Sequence, residues 1–144
     1  MNTATPPESA ARKPSIRHQL FINGQFVDAE SGETLPTLNP HDNTPIVNVA
    51  MAGKADVDKA VQAAHAAFPA WKSMAAADRG RILLRLADLI ESNSEELAWL
   101  ESLDTGHPIR DSRGLDVPRT SANFRYFGGM ADKLQGDQIP VEAG

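Results

Sequence analysis

The Asn23-Gly24 pair constrains the fold of this chain more than any other local feature. Short runs of strand-forming residues lie on either side of it, at 20–22 and 25–27. Asparagine followed by glycine is the pair best able to adopt positive φ at both central positions of a type I′ turn, whose twist matches that of a two-stranded ribbon. Residues 20–27 are therefore predicted to form a tight antiparallel β-hairpin.

Extended structure is also predicted in the segment after the hairpin. A loop at 29–33 leads into residues 35–40, where Pro36 and Pro40 favour extended backbone. These prolines exclude a central strand, because proline has no amide hydrogen to donate. After a turn at 41–44, the run at 46–51 is a plausible third strand. The first third of the chain is thus expected to be β and the rest helical.

Residues 57–71 carry the apolar spacing of an amphipathic helix. Successive apolar positions are 4, 3, 4 and 3 residues apart, which follows one face of an α-helix. Gly53 is a weak N-cap, and Asp56 lies in the first turn, where the helix dipole favours an acid. Pro69 is predicted to end or bend this helix. The stripe comprises Val57, Val61, Ala64, Phe68 and Trp71.

Two more helices are predicted between residues 77 and 105. The first begins near Ala77 and ends at the interruption 92–94, where Asn93 followed by Glu96 resembles a capping box for the second. The second places the leucines at 97, 100 and 103 inward. The inward stripe of the first comprises Ile82, Leu86 and Leu89, widened by Leu83 and Ile90.

A glycine–proline stop separates these helices from a fourth one. Gly106 in a left-handed conformation, followed closely by Pro108, is the expected end of a helix. The fourth helix is predicted from about 116–118, with Pro118 near its first position. Gly128-Gly129 would let another backbone approach it closely. Its stripe comprises Ser121, Phe124, Phe127, Ala131 and Leu134.

The composition indicates a thin core. Alanine supplies 21 of the 59 apolar residues, while Leu, Ile, Val and Phe together supply 31, about 22% of the 144 residues. That share is close to the level below which chains fail to stay ordered. Alanine buries little area. We therefore expect the chain to need a partner surface.

Composition also excludes several classes of function. The chain has no cysteine, which rules out disulfides, thiolate metal sites and a cysteine nucleophile. Its net charge of -5 argues against a nucleic-acid partner, and no apolar run is long enough for a membrane span. Residues 1–18 lack the apolar core of a secretory signal. They are expected to be a disordered cytoplasmic leader, with a transit peptide as the weaker alternative.

No catalytic constellation appears in the residue pattern. The sequence has no Gly-x-Ser-x-Gly elbow and no Gly-x-Gly-x-x-Gly phosphate loop. The four histidines are not spaced to share a metal, and His65 and His107 are expected to be solvated. Residues 88–104 carry six acids and no base, which favours a solvated helix face over acid–base catalysis. These acids are Asp88, Glu91, Glu95, Glu96, Glu101 and Asp104.

Five motifs in register resemble the opening segment of the NAD(P)-dependent aldehyde dehydrogenases. They are residues 20–27 (LFINGQFV), 37–40 (TLNP), 55–61 (ADVDKAV), 101–108 (ESLDTGHP) and 124–131 (FRYFGGMA). The resemblance covers about residues 19–144. It implies an α/β fold: a β-hairpin and an extended strand followed by about four amphipathic helices, which is the N-terminal layer of the cofactor-binding domain and an incomplete Rossmann-like domain. It assigns residues 19–136 to that domain and 137–144 to the start of an oligomerisation arm strand.

The resemblance also implies what this chain lacks. Family members are about three times as long, and they oxidise an aldehyde to a carboxylic acid through a cysteine, a base glutamate and an asparagine that lie downstream. NAD or NADP is the cofactor of the full-length family, with none expected to bind this chain alone. Some relatives hold a structural monovalent cation, which here implies an incomplete site at Thr37, Leu38 and Asp104. Asp104 lies at a helix C-terminus, where the dipole disfavours an anion.

Two functional hypotheses follow. The first is a non-catalytic N-terminal piece of an aldehyde dehydrogenase. Its expected partner is the remainder of that enzyme or a like subunit, and the full-length family forms homo-oligomers. The second is a self-standing helical protein-interaction module, which would need a cooperative fold and an exposed apolar stripe.

Overall fold

Residues 16–136 are described by a computed structural model, and their first element is the hairpin that Asn23-Gly24 predicts. Strand β1 (Leu20–Ile22) pairs antiparallel with β2 (Gln25–Val27). The turn residues have φ of 52° and 77°, both positive, so the type I′ prediction is confirmed. The predicted arm strand at 137–144 and most of the predicted leader, residues 1–15, lie outside the described residues.

A second antiparallel ribbon follows the hairpin. Strand β3 (Thr34–Leu38) pairs with β4 (Pro45–Ala50), which confirms the later strand and shows a pairing that the sequence did not reveal. Pro36 lies opposite Asn48, and β4 is the single strand paired with β3 among residues 16–136. The proline therefore lies on an edge strand, which is where β-sheets accommodate proline. The amide of Ala50 donates to the carbonyl of His18 at 2.8 Å, which ties this ribbon to the chain entering β1.

Helix α1 (Lys54–Ser73) begins as predicted but does not end at Pro69. Asp56 is buried and accepts hydrogen bonds from the amides of Gly53 (2.9 Å) and Glu30 (3.1 Å), so it fixes the helix start against the loop after β2. A proline removes one helical hydrogen bond, but the amides after it can still donate. The amide of Met74 donates to the carbonyl of Ala70 at 3.2 Å, and the helix continues past the proline for another turn.

Helices α2 (Ala76–Ser92) and α3 (Ser94–Thr105) are separated by Asn93 alone. The predicted capping box is wrong, because the Asn93 side chain makes no cap hydrogen bond to α3. Its amide group donates instead to the carbonyl of Leu89 at 2.8 Å, at the end of α2. A short polar side chain hydrogen-bonds to whichever free backbone group is nearer, and here that group is a carbonyl of the preceding helix.

The last helical stretch is longer than the sequence indicated. Gly106 has φ of 74° and ends α3 in the predicted left-handed conformation. A one-turn helix α4 (Ile109–Asp111) and a π-helical turn (Ser112–Asp116) then lead into α5 (Val117–Met130). The start of α5 agrees with the prediction, but α5 ends before Leu134, which is 89% exposed. Two successive glycines weaken its last turn.

The core of the helical part is the crossing of α2 over α5. Gly80 on α2 and Gly128 on α5 are both buried, and the two backbones approach so closely that a Cβ added at Gly80 would lie 2.5 Å from the Gly128 carbonyl oxygen. The predicted inward faces are therefore wrong in part, because small residues allow the closer approach. Ala87 is fully buried in α2, whereas four residues predicted inward are exposed: Ile82, Leu86, Leu89 and Phe127.

Few large apolar side chains are buried, in agreement with the thin core expected from composition. The fully or nearly buried apolar residues of the described chain are Ala29, Ala87, Ala98 and Val117. The α1 stripe, by contrast, lies in the open, with Phe68 56% and Val57 52% exposed. We call the exposed set Val57, Val61, Phe68 and Trp71 the α1 face.

Candidate functional site

A cavity lies between the β3–β4 ribbon and helix α3. Its volume is about 410 Å³, and apolar side chains from both elements line most of it. All three leucines of α3 that were predicted to lie inward line the cavity. Leu100 and Leu103 are half-buried, in agreement with the prediction, whereas Leu97 is exposed. The apolar lining comprises Ile16, Ile46, Val47, Val49, Leu97, Leu100 and Leu103, and the polar lining comprises Arg17, Thr37, Glu101 and Asp104.

Two of the three residues predicted to hold a monovalent cation line this cavity. Thr37 projects from β3, where its hydroxyl donates to the carbonyl of Val47 at 3.2 Å. Asp104 lies in the last turn of α3 and is exposed. Leu38 ends β3 and is not among the lining residues. Within residues 16–136, no three His, Asp or Glu side chains are grouped so that they could hold a metal ion.

The prediction that His107 is solvated is confirmed only in part, because the side chain is 41% exposed but also contacts Asp116. Its Nδ1 lies 2.6 Å from a carboxylate oxygen of Asp116, and the residue is only partly exposed. The hydroxyl of Ser102 donates to the His107 carbonyl at 2.7 Å. These contacts tie the loop after α3 to the π-helical turn. No periodic signal links positions nine apart across a loop, so the sequence could not reveal them. His65 is exposed, as predicted.

Part of the acidic segment is engaged in ion pairs between helices. Arg125 of α5 lies 3.0 Å from Asp88 and 2.8 Å from Glu91, both on α2. The hydroxyl of Ser121, a residue only 1% exposed, donates to Glu91 at 2.6 Å. Arg125 and Ser121 together hold the pKa of the Glu91 carboxyl below its ordinary value. All six acids are exposed, which confirms the prediction of a solvated helix face. The ion pairs to Arg125 were not predicted, because the prediction considered one helix at a time.

The strands of residues 16–136 are not arranged as in a known dinucleotide-binding site. Such a site needs parallel strands joined by a helix whose N-terminus faces the pyrophosphate. Between residues 16 and 136 both sheets are two-stranded and antiparallel. The 144 residues contain no cysteine for a thiol mechanism. None of the helices in this part of the chain is long and apolar enough to cross a membrane.

A family model described as the aldehyde dehydrogenase family matches residues 26–144. This chain belongs to the aldehyde dehydrogenase family. The family resemblance seen in the five sequence motifs is thereby confirmed, as is the α/β fold with short strands followed by helices.

Curated and solved members of the family are similar to this aldehyde dehydrogenase chain over most of its length. The mitochondrial 10-formyltetrahydrofolate dehydrogenase of Mus musculus is 52% identical over 128 residues, which cover 88% of this chain and 14% of that protein. The aldehyde dehydrogenase family 2 member B4 of Arabidopsis thaliana, mitochondrial, is 47% identical over 126 residues, or 86% and 23% of the two chains.

Among solved structures, PnpE from Pseudomonas sp. WBC-3 matches with a TM-score of 0.84 and 64% identity, over 89% of this chain and 26% of that one. PnpE in complex with nicotinamide adenine dinucleotide matches with the same score and identity, over 90% and 26%. The chain therefore spans between 14% and 26% of the length of these relatives.

Proposed function

We propose that this chain is the N-terminal scaffold segment of an NAD(P)-dependent aldehyde dehydrogenase and that it does not catalyse oxidation by itself. The α1 face is the observation that carries this proposal. It presents four large apolar side chains to solvent along one helix, each at least 41% exposed. Contiguous apolar patches of this kind mark interaction surfaces. The remainder of the enzyme, or a like subunit, is the partner that we assign to it.

The residues that the segment lacks agree with a structural, non-catalytic role. The thiol on which the family relies is absent from these 144 residues, and residues 16–136 offer no cradle for a dinucleotide. The relative PnpE has been solved with nicotinamide adenine dinucleotide, which supports NAD as the cofactor of the full-length enzyme. The antiparallel two-stranded sheets of residues 16–136 support a binding site outside this segment. The segment's own residues would pack against one side of the cofactor domain and fix the positions of the helices there.

A complementation assay tests this proposal. The chain is mixed with a PnpE variant that lacks the matching segment, and aldehyde-dependent formation of NADH is followed. We expect no activity from either piece alone and activity from the mixture. Val61→Asp within the α1 face should abolish NADH formation by the mixture, because the aspartate charge would have to be buried between the two pieces. Gln62→Asp, one residue away and outside the α1 face, is the matched control and should leave the gain unchanged. NADH formation by the chain alone, or complementation by Val61→Asp, would contradict the proposal.

A self-standing interaction module is the alternative, and the α2–α5 crossing favours it because that contact is formed within the chain. Urea unfolding followed by circular dichroism separates the two functions. A single cooperative transition, with an m-value that fits about 120 residues, would favour the module. A cooperative transition with a smaller m-value, fitting the α2–α5 pair alone, would favour the scaffold segment. The cation site at Thr37, Leu38 and Asp104, the cytoplasmic location, the leader, the arm strand and the homo-oligomeric state stay predictions.

A further inference from the structure

The two residues at the tip of the β1–β2 hairpin can react with each other. Asn23 and Gly24 are both exposed to water. The side-chain carbonyl carbon of an asparagine can be attacked by the backbone nitrogen of the next residue, which closes a five-membered ring. Glycine hinders this attack least, because it has no Cβ beside the nitrogen. Of the seven asparagines of this chain, Asn23 alone is followed by glycine.

Two other asparagines near turns are held in ways that oppose the same reaction. Asn43 also has positive φ, 59°, but the amide of the following Thr44 donates to the Asp42 carboxylate at 2.9 Å. The side-chain amide of Asn93 donates to the Leu89 carbonyl at 2.8 Å. Each hydrogen bond keeps one of the two reacting groups in place. The hairpin tip is therefore the most reactive of these three turns.

The closed turn holds the two reacting atoms of the tip apart. Asn23 has φ of 52° and Gly24 has φ of 77°, and a type I′ turn sets ψ of its first central residue at about 30°. At this ψ the Gly24 nitrogen lies nearly opposite the Asn23 Cβ across the Cα–C bond. Ring closure needs these two atoms on the same side of that bond. The turn must therefore open before the ring can form.

The hairpin is small enough to open while the helices stay folded. Strands β1 and β2 have three residues each, and within residues 16–136 they pair only with one another. A two-stranded ribbon of this size is marginally stable and opens locally. The rings of Phe21 and Phe26 lie 4.9 Å apart across it, and the Arg17 guanidinium lies 4.3 Å from the centre of the Phe26 ring. These side-chain contacts oppose the opening of the turn.

We propose that Asn23 is a site of spontaneous chemical modification whose rate is controlled by opening of the hairpin. The Gly24 nitrogen forms a bond to Cγ of Asn23 and loses its proton, and the side-chain nitrogen leaves as ammonia. Water then cleaves one of the two C–N bonds that join the new ring to its nitrogen. The net change replaces the side-chain amide by a carboxyl group. This proposal is independent of the function proposed above.

The two products of ring opening have different effects on the hairpin. Cleavage at Cγ gives aspartate, which suits the type I′ turn as well as asparagine does. Cleavage at the main-chain carbonyl gives isoaspartate, in which Cβ becomes part of the backbone. The turn then has one atom more than the pairing of Ile22 with Gln25 allows, so this product disrupts the register of the hairpin.

Timed incubation of the full 144-residue chain at neutral pH, in water enriched in heavy oxygen, tests the proposal by peptide mapping. Each converted asparagine acquires one oxygen from the water, and Asn23 should convert at least tenfold faster than Asn43 or Asn93. Phe26→Ala should raise the Asn23 rate by about two- to tenfold, the factor that loss of an aromatic pair gives for a local equilibrium. Phe68→Ala is the matched control, since Phe68 is also exposed but lies on α1, and it should leave the rate unchanged.

Two results would overturn the proposal. Conversion of Asn23 no faster than that of Asn43 would show that the tip is not the preferred site. Equal Asn23 rates in Phe26→Ala and the original chain would show that hairpin opening does not control the reaction. Helical circular dichroism of Phe26→Ala should match that of the original chain, which separates opening of the hairpin from loss of the helices.

Urea provides a check that needs no variant. Concentrations that unfold the original chain should raise the Asn23 rate by at least as much as Phe26→Ala does, because the turn that separates the reacting atoms is then lost. An unchanged rate in urea would also overturn the proposal.

Discussion

Replacing Gly80 by alanine probes the contact on which the helical part of the chain depends. A Cβ at this position would lie 2.5 Å from the carbonyl oxygen of Gly128 and 3.3 Å from the Cβ of Ala131. Ordinary contacts between nonbonded heavy atoms begin near roughly 3.5 Å. The atom in the way is backbone and cannot rotate aside, so α2 and α5 would have to separate by about 1 Å.

The expected change in the free energy of unfolding follows from two opposing effects. Overpacking of a close contact costs typically about 1–3 kcal/mol. Alanine is a better helix former than glycine by about 1 kcal/mol, which offsets part of that cost. Because the clash involves a backbone atom, we expect the steric effect to dominate, with a net loss of about 1–2 kcal/mol in the free energy of unfolding.

Gly129→Ala is the matched control for this substitution. Gly129 lies on α5 beside Gly128, but a Cβ there meets nothing within 4 Å. The propensity gain should therefore appear alone, and the variant should be more stable by up to about 1 kcal/mol. The midpoints of urea unfolding, followed by circular dichroism at the helical band, should rank Gly129→Ala above the original chain and Gly80→Ala below it. A Gly80→Ala midpoint at or above that of the original chain would refute the close crossing.

Three further predictions concern polar contacts between segments that are distant along the chain. Ser121→Ala should lower the urea midpoint by the equivalent of about 1 kcal/mol, because it removes a buried hydrogen bond to a carboxylate; an unchanged midpoint would exclude that role. Arg125 and the Ser121 hydroxyl hold the pKa of Glu91 below its ordinary value of 4.5, so ionised Glu91 stabilises the fold above that pH and the contribution is lost as the pH falls below it. Helical circular dichroism should therefore decline less on acidification from about pH 5 to about pH 3 in Glu91→Gln than in the original chain, and identical curves would contradict the pairing. Asp56→Ala should expose the amide of Glu30, whose hydrogen exchange should speed up at least tenfold, a loss of about 1.4 kcal/mol or more; an unchanged exchange rate would show that the carboxylate does not hold this loop.

Local chemistry explains why several elements could be predicted from the sequence. The turn at Asn23-Gly24 and the stop at Gly106 depend on φ values that few residues adopt, so the residue type identifies the conformation. The starts of α1 and α5, indicated by Asp56 and Pro118, depend on neighbours within one turn. Composition likewise indicated the thin core. Family membership followed from motifs that keep their order and spacing.

Contacts between positions that are distant along the chain determined the features that could not be predicted from the sequence. Helix α2 has apolar residues on two faces, and only the approach of Gly128 to Gly80 determines which face is buried. The pairing of β3 with β4 and the ion pairs of Arg125 likewise join segments that no periodicity relates. The sequence by itself therefore determined where elements begin, where they turn and to which family the chain belongs. The tertiary structure alone decided which surfaces meet, because burial is a property of two surfaces together and a helix pattern describes only one of them.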